Sequence, residues 1–285
     1  METADELQRD DADVRSDQGA RMQAGVYLLE LSPDWIVARA SENVGQLLGH
    51  SVQTIIDEPL ANFVDAQALH DLRNLFARLS GTLGIARAYG VRLTERNAPA
   101  DIAFQQVNGR VLLEAVPSSG NFGECFGTVA GLIDGLSDAR GQALLDGAAR
   151  RMRALTGYDR VILDCAGAVA ESSRRVFTAT VPTSDNLPPI VSDTTSEAVP
   201  IYPARANDSG VAKALFRSAD DMLLYQLRTA GIGAILRIPF LADGISAEFR
   251  CDSRSPRPPN LELHAAAELF AQLVSLRLQL DRLKG

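Results

Sequence analysis

Glu197-Ala-Val-Pro-Ile-Tyr-Pro203 opens the stretch, residues 197–283, on which an interpretation of the fold can be based. Alternation of apolar runs with turn residues divides this stretch into separate elements. We predict a loop from Glu197 to Ser209, a helix from Val211 to Ala230, a strand from Gly231 to Phe240, a strand from Ile245 to Cys251, and a long closing helix. Asp243-Gly244 between the two strands is typical of a tight turn.

The closing helix carries five leucines whose spacings are four, three, four and three residues. They are Leu269, Leu273, Leu276, Leu280 and Leu283. This heptad spacing is typical of a helix that buries one edge against a partner helix. We therefore expect a homodimer through these leucines, with packing of the helix inside its own chain as the alternative.

The chain before this stretch shows two groups of elements. In the first group, two strands and several helices precede three strands, and Asn108-Gly109 between the last two strands predicts a β-hairpin. In the second group, a helix from Asp138 to Leu155 precedes strands from Tyr158 to Cys165 and from Arg175 to Val181. The pattern therefore predicts an α+β chain with two sheets.

Several motifs occur in an order that resembles one family. They are Gly157-Tyr158-Asp159-Arg160-Val161, Phe216-Arg217-Ser218, Leu227-Arg228 and Cys251-Asp252-Ser253. This order resembles the GAF domain of a bacterial phytochrome, and Gly25-Val26-Tyr27 with Ser41-Glu42-Asn43-Val44 resembles the PAS domain that precedes it. The resemblance implies an α+β fold in which a PAS domain is followed by a GAF domain, each with a central antiparallel sheet flanked by helices.

The resemblance also gives expected domain bounds. We expect a disordered acidic arm at residues 1–21, a PAS domain at residues 22–133, and a GAF domain with a C-terminal dimerisation helix at residues 134–285. The arm holds seven acidic residues and three arginines and has too little apolar surface to fold alone. In the family this arm passes through a loop that corresponds to Glu197–Asp208, and Arg21 would replace the apolar plug of that knot.

Composition excludes several classes of function. The chain has 285 residues, a net charge of −8 and 46% hydrophobic residues, without an apolar run long enough for a membrane span. Basic residues are not interleaved with aromatic ones, so we expect no nucleic-acid partner. The three cysteines, Cys125, Cys165 and Cys251, are widely separated, which is typical of free thiols in the cytoplasm.

Catalysis and metal binding have no support in the sequence. The three histidines, His50, His70 and His264, lie outside any metal-binding spacing, and no nucleophile is marked by a neighbouring base. Gly231-Ile-Gly233 lacks the third glycine of a dinucleotide-binding loop. We therefore expect no enzymatic activity, no catalytic residue and no metal site.

The resemblance identifies four candidate ligand-binding positions. Arg217 matches a family arginine that binds a bilin propionate. Asp185 matches an aspartate that contacts the pyrrole nitrogens, although one extra residue separates it from the following proline, Pro188. Leu223 and Asp252 replace two family histidines. For Arg217 and Asp185, a solvent-exposed side chain without a ligand is the alternative. An ionised Asp252 can accept hydrogen bonds but cannot donate one to a ring carbonyl.

Covalent attachment of biliverdin is excluded by the cysteines. The family uses a cysteine ahead of the PAS domain, whereas the first cysteine here is Cys125, and the plant-type attachment position is Met222. We therefore interpret the chain as a phytochrome-like sensory or regulatory module that needs no cofactor and acts on a signalling partner or output domain. One alternative is a photoreceptor that binds biliverdin noncovalently through Arg217 and Asp185. The other is a purely structural dimerisation or interaction module.

Overall fold

The computed structural model describes residues 20–77, 84–119, 123–177, 187–205, 208–242 and 244–282. Its contacts divide the chain into two units. The first unit combines Met1–Pro117 with Glu197–Ser218, and the second combines Ser118–Ser196 with Ala219–Gly285. Because residues 1–19 lie outside the described residues, the predicted disordered arm and its passage through a loop stay predictions.

The described residues contain twelve strands and seven α-helices, which are numbered here in chain order. The strands are β1 (Arg21–Met22), β2 (Tyr27–Leu31), β3 (Val37–Ser41), β4 (Ala86–Val91), β5 (Ala100–Val107), β6 (Arg110–Pro117), β7 (Arg160–Cys165), β8 (Ala168–Ser173), β9 (Ile190–Val191), β10 (Val199–Tyr202), β11 (Ala234–Ala242) and β12 (Ile245–Ser253). The helices are α1 (Gly45–Leu48), α2 (Val52–Ile55), α3 (Ala66–Ala77), α4 (Glu124–Asp134), α5 (Gly141–Thr156), α6 (Asp221–Thr229) and α7 (Leu261–Arg282). Short 3₁₀ turns occur at Glu42–Val44, Leu60–Asn62 and Val211–Lys213.

The first unit is built on a seven-stranded antiparallel sheet in the order β1-β10-β3-β2-β6-β5-β4. Trp35, Phe76 and Phe104 form edge and tilted ring contacts in its core, where residues of α1, α2 and α3 pack against the sheet. The predicted hairpin is confirmed, since Asn108 and Gly109 both have positive φ between β5 and β6.

The segment Glu197–Ser218 belongs to this first sheet although it comes from the later part of the chain. β10 pairs with β3, and β1 lies against β10 on one edge. On its other edge, Met22 bridges Arg217, and the Ser218 N–H donates to the Arg21 carbonyl at 2.7 Å. Glu197–Ser218 therefore holds β1 from both sides, which is a feature that the predicted loop did not include.

The helix predicted from Val211 to Ala230 is wrong in its first half. The structure has only a 3₁₀ turn there, followed by a turn at Leu215–Phe216 and irregular residues, and α6 begins after Asp220, whose side chain caps it. The cause is Glu114, whose carboxylate accepts the N–H groups of Leu215 and Phe216, both at 2.9 Å. These N–H groups are taken by a tertiary contact, so they do not form helical bonds.

The second unit contains a five-stranded antiparallel sheet in the order β8-β7-β12-β11-β9. The closing helix, α7, packs on β11 and also contacts α4 and α5. The strand predicted at Arg175–Val181 is wrong in its described part, because β8 lies earlier. Ala166 and Gly167, with φ of 54° and 86°, make a two-residue turn that lets β8 return directly along β7.

The predicted boundary after residue 133 also differs from the structure. The first unit ends at Pro117, and α4 lies in the second unit. Glu262 of α7 fixes the start of α4, since its Oε1 accepts the N–H groups of Gly123 at 2.8 Å and Cys125 at 3.2 Å. This bond to the helix start spans about half of the chain, so local sequence does not reveal it.

Candidate functional site

The four candidate ligand-binding residues are distributed over both units. Leu223 lies in the first turn of α6 and Asp252 lies near the end of β12, both in the second unit. Arg217 belongs to the first unit, where it is half-buried and its carbonyl accepts a bond from Gln23 Nε2 at 3.1 Å. Asp185 lies outside the described residues.

Asp252 is fully buried between two arginines. Its Oδ2 accepts Nε and Nη2 of Arg160 at 2.9 and 2.7 Å, and its Oδ1 accepts Nε of Arg250 at 2.9 Å. Strand geometry explains this arrangement, because Arg160 is the register partner of Asp252 on β7 and Arg250 precedes it by two residues on the same face of β12. Both carboxylate oxygens are therefore occupied by guanidinium donors.

This ion cluster has an aromatic neighbour and little exposure to solvent. The Arg160 guanidinium lies over the Phe177 ring, 4.2 Å from its centroid, and the side chains of Arg160 and Arg250 are each 5% exposed. Such a cation–π contact adds to the binding of a desolvated arginine. Because a buried charge is tolerated only when it is paired, Asp252 has a structural role in keeping both arginines inside the sheet.

Leu223 is part of a compact apolar cluster beside β11. Its backbone N–H donates to Oδ1 of the helix cap Asp220 at 2.7 Å, and its side chain is buried. The cluster joins α6, β9 and β11 and consists of Leu187, Val191, Ala219, Leu223, Leu224, Leu227, Ala230, Ile232 and Ile235. At the position where the resemblance implies a polar histidine, the chain therefore has a side chain that packs with other apolar residues.

Comparison with solved structures identifies this architecture. The chromophore-binding domain of an unusual bacteriophytochrome from R. palustris matches with a TM-score of 0.76 and 21% identity, over 95% of this chain and 98% of that one. The chromophore-binding domain of Stigmatella aurantiaca phytochrome matches with a TM-score of 0.73 and 23% identity, over 90% and 95%. The chain has the fold of a bacteriophytochrome chromophore-binding domain.

Sequence comparisons support the same assignment for part of the chain. Residues 23–117 match a family model described as a PAS fold. No match is found among curated protein sequences. The photosensory core module of the Stigmatella phytochrome matches at a TM-score of 0.74 and 24% identity, and the chain spans 58% of that longer protein. The expectation of an α+β chain with a PAS and a GAF domain is confirmed.

Within this chromophore-binding-domain fold, the described cysteines are free thiols. Cys251 precedes Asp252 and is fully buried, and burial, together with the neighbouring carboxylate, raises the pKa of its thiol far above the ordinary value. Burial also raises the pKa of the nearby Tyr158 hydroxyl. Both groups are therefore uncharged at neutral pH, and Cys251 lacks the thiolate character of a reactive cysteine.

The predicted dimerisation leucines lie mainly on the exposed side of α7. Leu269, Leu276 and Leu280 are 39%, 56% and 50% exposed, and Leu273 is half-buried, whereas Leu283 lies outside the described residues. The opposite side of the helix is buried in the second unit through Leu261, Ala266, Ala267, Phe270, Ala271 and Val274. The leucine row is therefore separate from the face that the helix uses inside its own unit.

No group of three or more His, Cys, Asp or Glu side chains in the described residues has an arrangement suited to a metal ion. None of the described helices combines the length and apolar character that a membrane crossing requires.

Sequence reasoning missed the two arginines that bind Asp252. The Gly157–Val161 motif contains Arg160 without indicating a role for its side chain, and none of the motifs includes Arg250. The signal that could have identified Arg250 is its spacing of two residues from Asp252, which places both side chains on one face once the predicted strand Ile245–Cys251 is extended to Ser253, as in β12. The pairing of Arg160 with Asp252 depends on the register of strands 92 residues apart and has no local signal.

Proposed function

We propose that this chain is a phytochrome-like sensory or regulatory module whose GAF domain does not bind a bilin in the family's manner. The observation that supports this proposal is the burial of Asp252 between Arg160 and Arg250. A ligand carbonyl at this position would need a hydrogen-bond donor, whereas Asp252 offers only acceptors that are already used. Opening the cluster would leave charges unpaired in the protein interior.

The apolar cluster around Leu223 supports the same proposal. A tetrapyrrole has polar ring nitrogens and carbonyls, and an unsatisfied buried polar group costs about 1–3 kcal/mol. Leu223 has no donor to offer such a group. Because the first cysteine of the chain is Cys125, the proposal also excludes the covalent linkage that the resemblance implies upstream of the PAS domain.

The remaining parts of this proposal concern assembly and output. The exposed leucines of α7 support a homodimer formed through paired helices, as the heptad spacing predicts. The module would act in the cytoplasm on a signalling partner or output domain, without enzymatic activity of its own. Its signal would be a ligand or contact other than a covalently bound bilin.

Absorption spectroscopy tests the proposal. We expect purified protein that is mixed with excess biliverdin and then desalted to show no red absorption band. The R. palustris chromophore-binding domain, treated identically, is the positive control for the assay. A red band that changes reversibly on illumination would overturn the proposal.

A second candidate is noncovalent biliverdin binding, which the match over 95% of the chain to a chromophore-binding domain favours. In that case the native protein would be coloured, denaturation would release all pigment, and Arg217→Gln would weaken retention of the pigment. A third candidate, a purely structural module, is favoured by the packed cluster around Leu223. It would give colourless protein whose melting temperature does not change with any compound of a small-molecule library.

A further inference from the structure

A pocket of about 150 Å³ lies in the first unit, where the β5–β6 hairpin meets Arg205 and the segment Asp208–Gly210. Its polar wall consists of Glu30, Asn108, Arg110, Arg205, Asp208 and Ser209. With about 30 Å³ for each water molecule, this volume corresponds to about five waters. The pocket can therefore accept a group of a few non-hydrogen atoms but not a large cofactor.

The charges at this pocket do not balance. Glu30 and Asp208 are almost fully buried and both bind Nη1 of Arg39, which is fully buried behind them. Arg110 and Arg205 reach the same Glu30 from the pocket rim. Three guanidinium groups therefore surround two carboxylates, which leaves one excess positive charge among the described residues of this cluster.

The two rim arginines are only partly used. Arg110 Nε lies 3.2 Å and Arg205 Nη1 lies 3.4 Å from one shared atom, Oε1 of Glu30. Their side chains are 39% and 45% exposed, and a guanidinium carries five N–H donors. Within the described part of the chain each arginine uses one nitrogen for this ion pair with Glu30. Most of the N–H donors of both arginines therefore remain available to a ligand.

Arg39, behind the two carboxylates, adds to the positive charge beside the pocket. Its Nε donates to the Pro203 carbonyl at 2.9 Å, and among the described residues its buried Nη2 has no hydrogen-bond partner. A buried donor without a partner favours a nearby acceptor. A cation is disfavoured here, because both carboxylates already bind guanidinium groups.

We propose that this pocket binds a small oxyanion, a phosphate or carboxylate group, through Arg110 and Arg205. Arginine pairs bind such planar or tetrahedral oxygen groups with two donors each. Asn108 Nδ2 and Ser209 Oγ, which lie 3.1 Å apart, place two further polar groups on the wall. Because Arg110 lies on the hairpin and Arg205 on the later segment, the anion would link these two parts of the first unit.

Calorimetric titration of the full chain with inorganic phosphate, at constant ionic strength, tests the proposal. We expect saturable binding, and Arg110→Gln and Arg205→Gln should each weaken it by about tenfold or more. Arg96→Gln removes an exposed arginine outside the pocket and should leave the affinity unchanged. A parallel titration with acetate distinguishes a carboxylate ligand from a phosphate ligand, and saturable binding of either anion supports the site.

Two further measurements keep the test decisive. Asn108→Asp adds a negative charge at an exposed wall residue and should also weaken binding, without affecting the core. Hydrogen exchange of the Val211 amide, which donates to Asp208 Oδ1 at 3.2 Å, should slow when the anion binds. Absence of saturable binding up to about 10 mM of either anion, or equal weakening by Arg96→Gln and Arg205→Gln, would overturn the proposal.

Discussion

Replacing Asp252 with Asn tests the role assigned to the buried ion cluster. The change is nearly isosteric, so it removes the charge without creating a cavity. Asp252 accepts three guanidinium bonds of 2.7–2.9 Å, whereas an amide has one acceptor oxygen and would direct its NH₂ group at a guanidinium. Arg160 and Arg250 would then be two buried cations without a counter-charge.

The expected destabilisation by Asp252→Asn follows from the lost hydrogen bonds and the unpaired guanidinium charges. A hydrogen bond to a charged group contributes about 1.5–3 kcal/mol, and at least one is lost. Removing one partner of a buried ion pair costs about 3–5 kcal/mol, because the remaining charge stays desolvated. We therefore expect Asp252→Asn to lower the free energy of unfolding of the second unit by about 3–5 kcal/mol.

Urea-induced unfolding measures this effect. Trp35 is the only tryptophan and lies in the first unit, so its fluorescence follows that unit, while far-UV circular dichroism follows both. Glu171→Gln, at an exposed position of β8, is the matched control and should change stability by less than about 0.5 kcal/mol. A loss below about 1 kcal/mol for Asp252→Asn would refute the reasoning.

An apolar replacement of the whole cluster separates two explanations of that loss. Arg160→Met, Arg250→Met and Asp252→Leu together remove every charge, and buried ion clusters replaced in this way often leave stability unchanged or higher. We expect this triple variant to recover most of the stability that Asp252→Asn loses. If it is as unstable as the single variant, the cost does not come from unpaired charge.

Three further predictions concern other parts of the chain. Burial raises the pKa of Glu114 to about 7 from the usual 4.5, so its proton is bound more tightly in the folded state. The first unit should therefore lose up to about 3 kcal/mol of stability as pH rises from 4.5 to 7, and Glu114→Gln should remove this part of the dependence in urea titrations followed at Trp35. Leu276→Asp with Leu280→Asp should convert a dimer to a monomer in light scattering, while unchanged mass would contradict the predicted helix pairing. Leu223→Ala should cost about 2–5 kcal/mol in circular-dichroism melts, and a cost below about 1 kcal/mol would show that its cluster is loosely packed.

Local signals in the sequence predicted the elements that depend on local physics. Asn108-Gly109 defines a hairpin because both residues tolerate positive φ, and the structure has the turn at these residues. The closing helix was predicted from its leucine spacing and forms α7, Leu261–Arg282. In both cases the interactions that decide the structure lie within a few residues of each other.

Long-range contacts explain what the sequence could not show. Residues 214–219 look helical, yet Glu114 accepts two of their N–H groups across about a hundred residues. Asp252 was recognised as a replacement for a family histidine, but its partner Arg160 is set by strand register. Register between distant strands is specified by the whole sheet rather than by any motif.

The segment Glu197–Ser218 shows how the first unit determines the position of a residue that the motifs assigned to the GAF domain. Arg39 holds Pro203 and Asp208, and Glu114 holds the backbone directly before Arg217. The placement of Arg217 therefore depends on buried charges of the PAS unit. An anion at Arg205 would act on this same segment, and so would protonation of Glu114. Any ligand that Arg217 contacts would therefore bind with an affinity that responds to the state of the first unit.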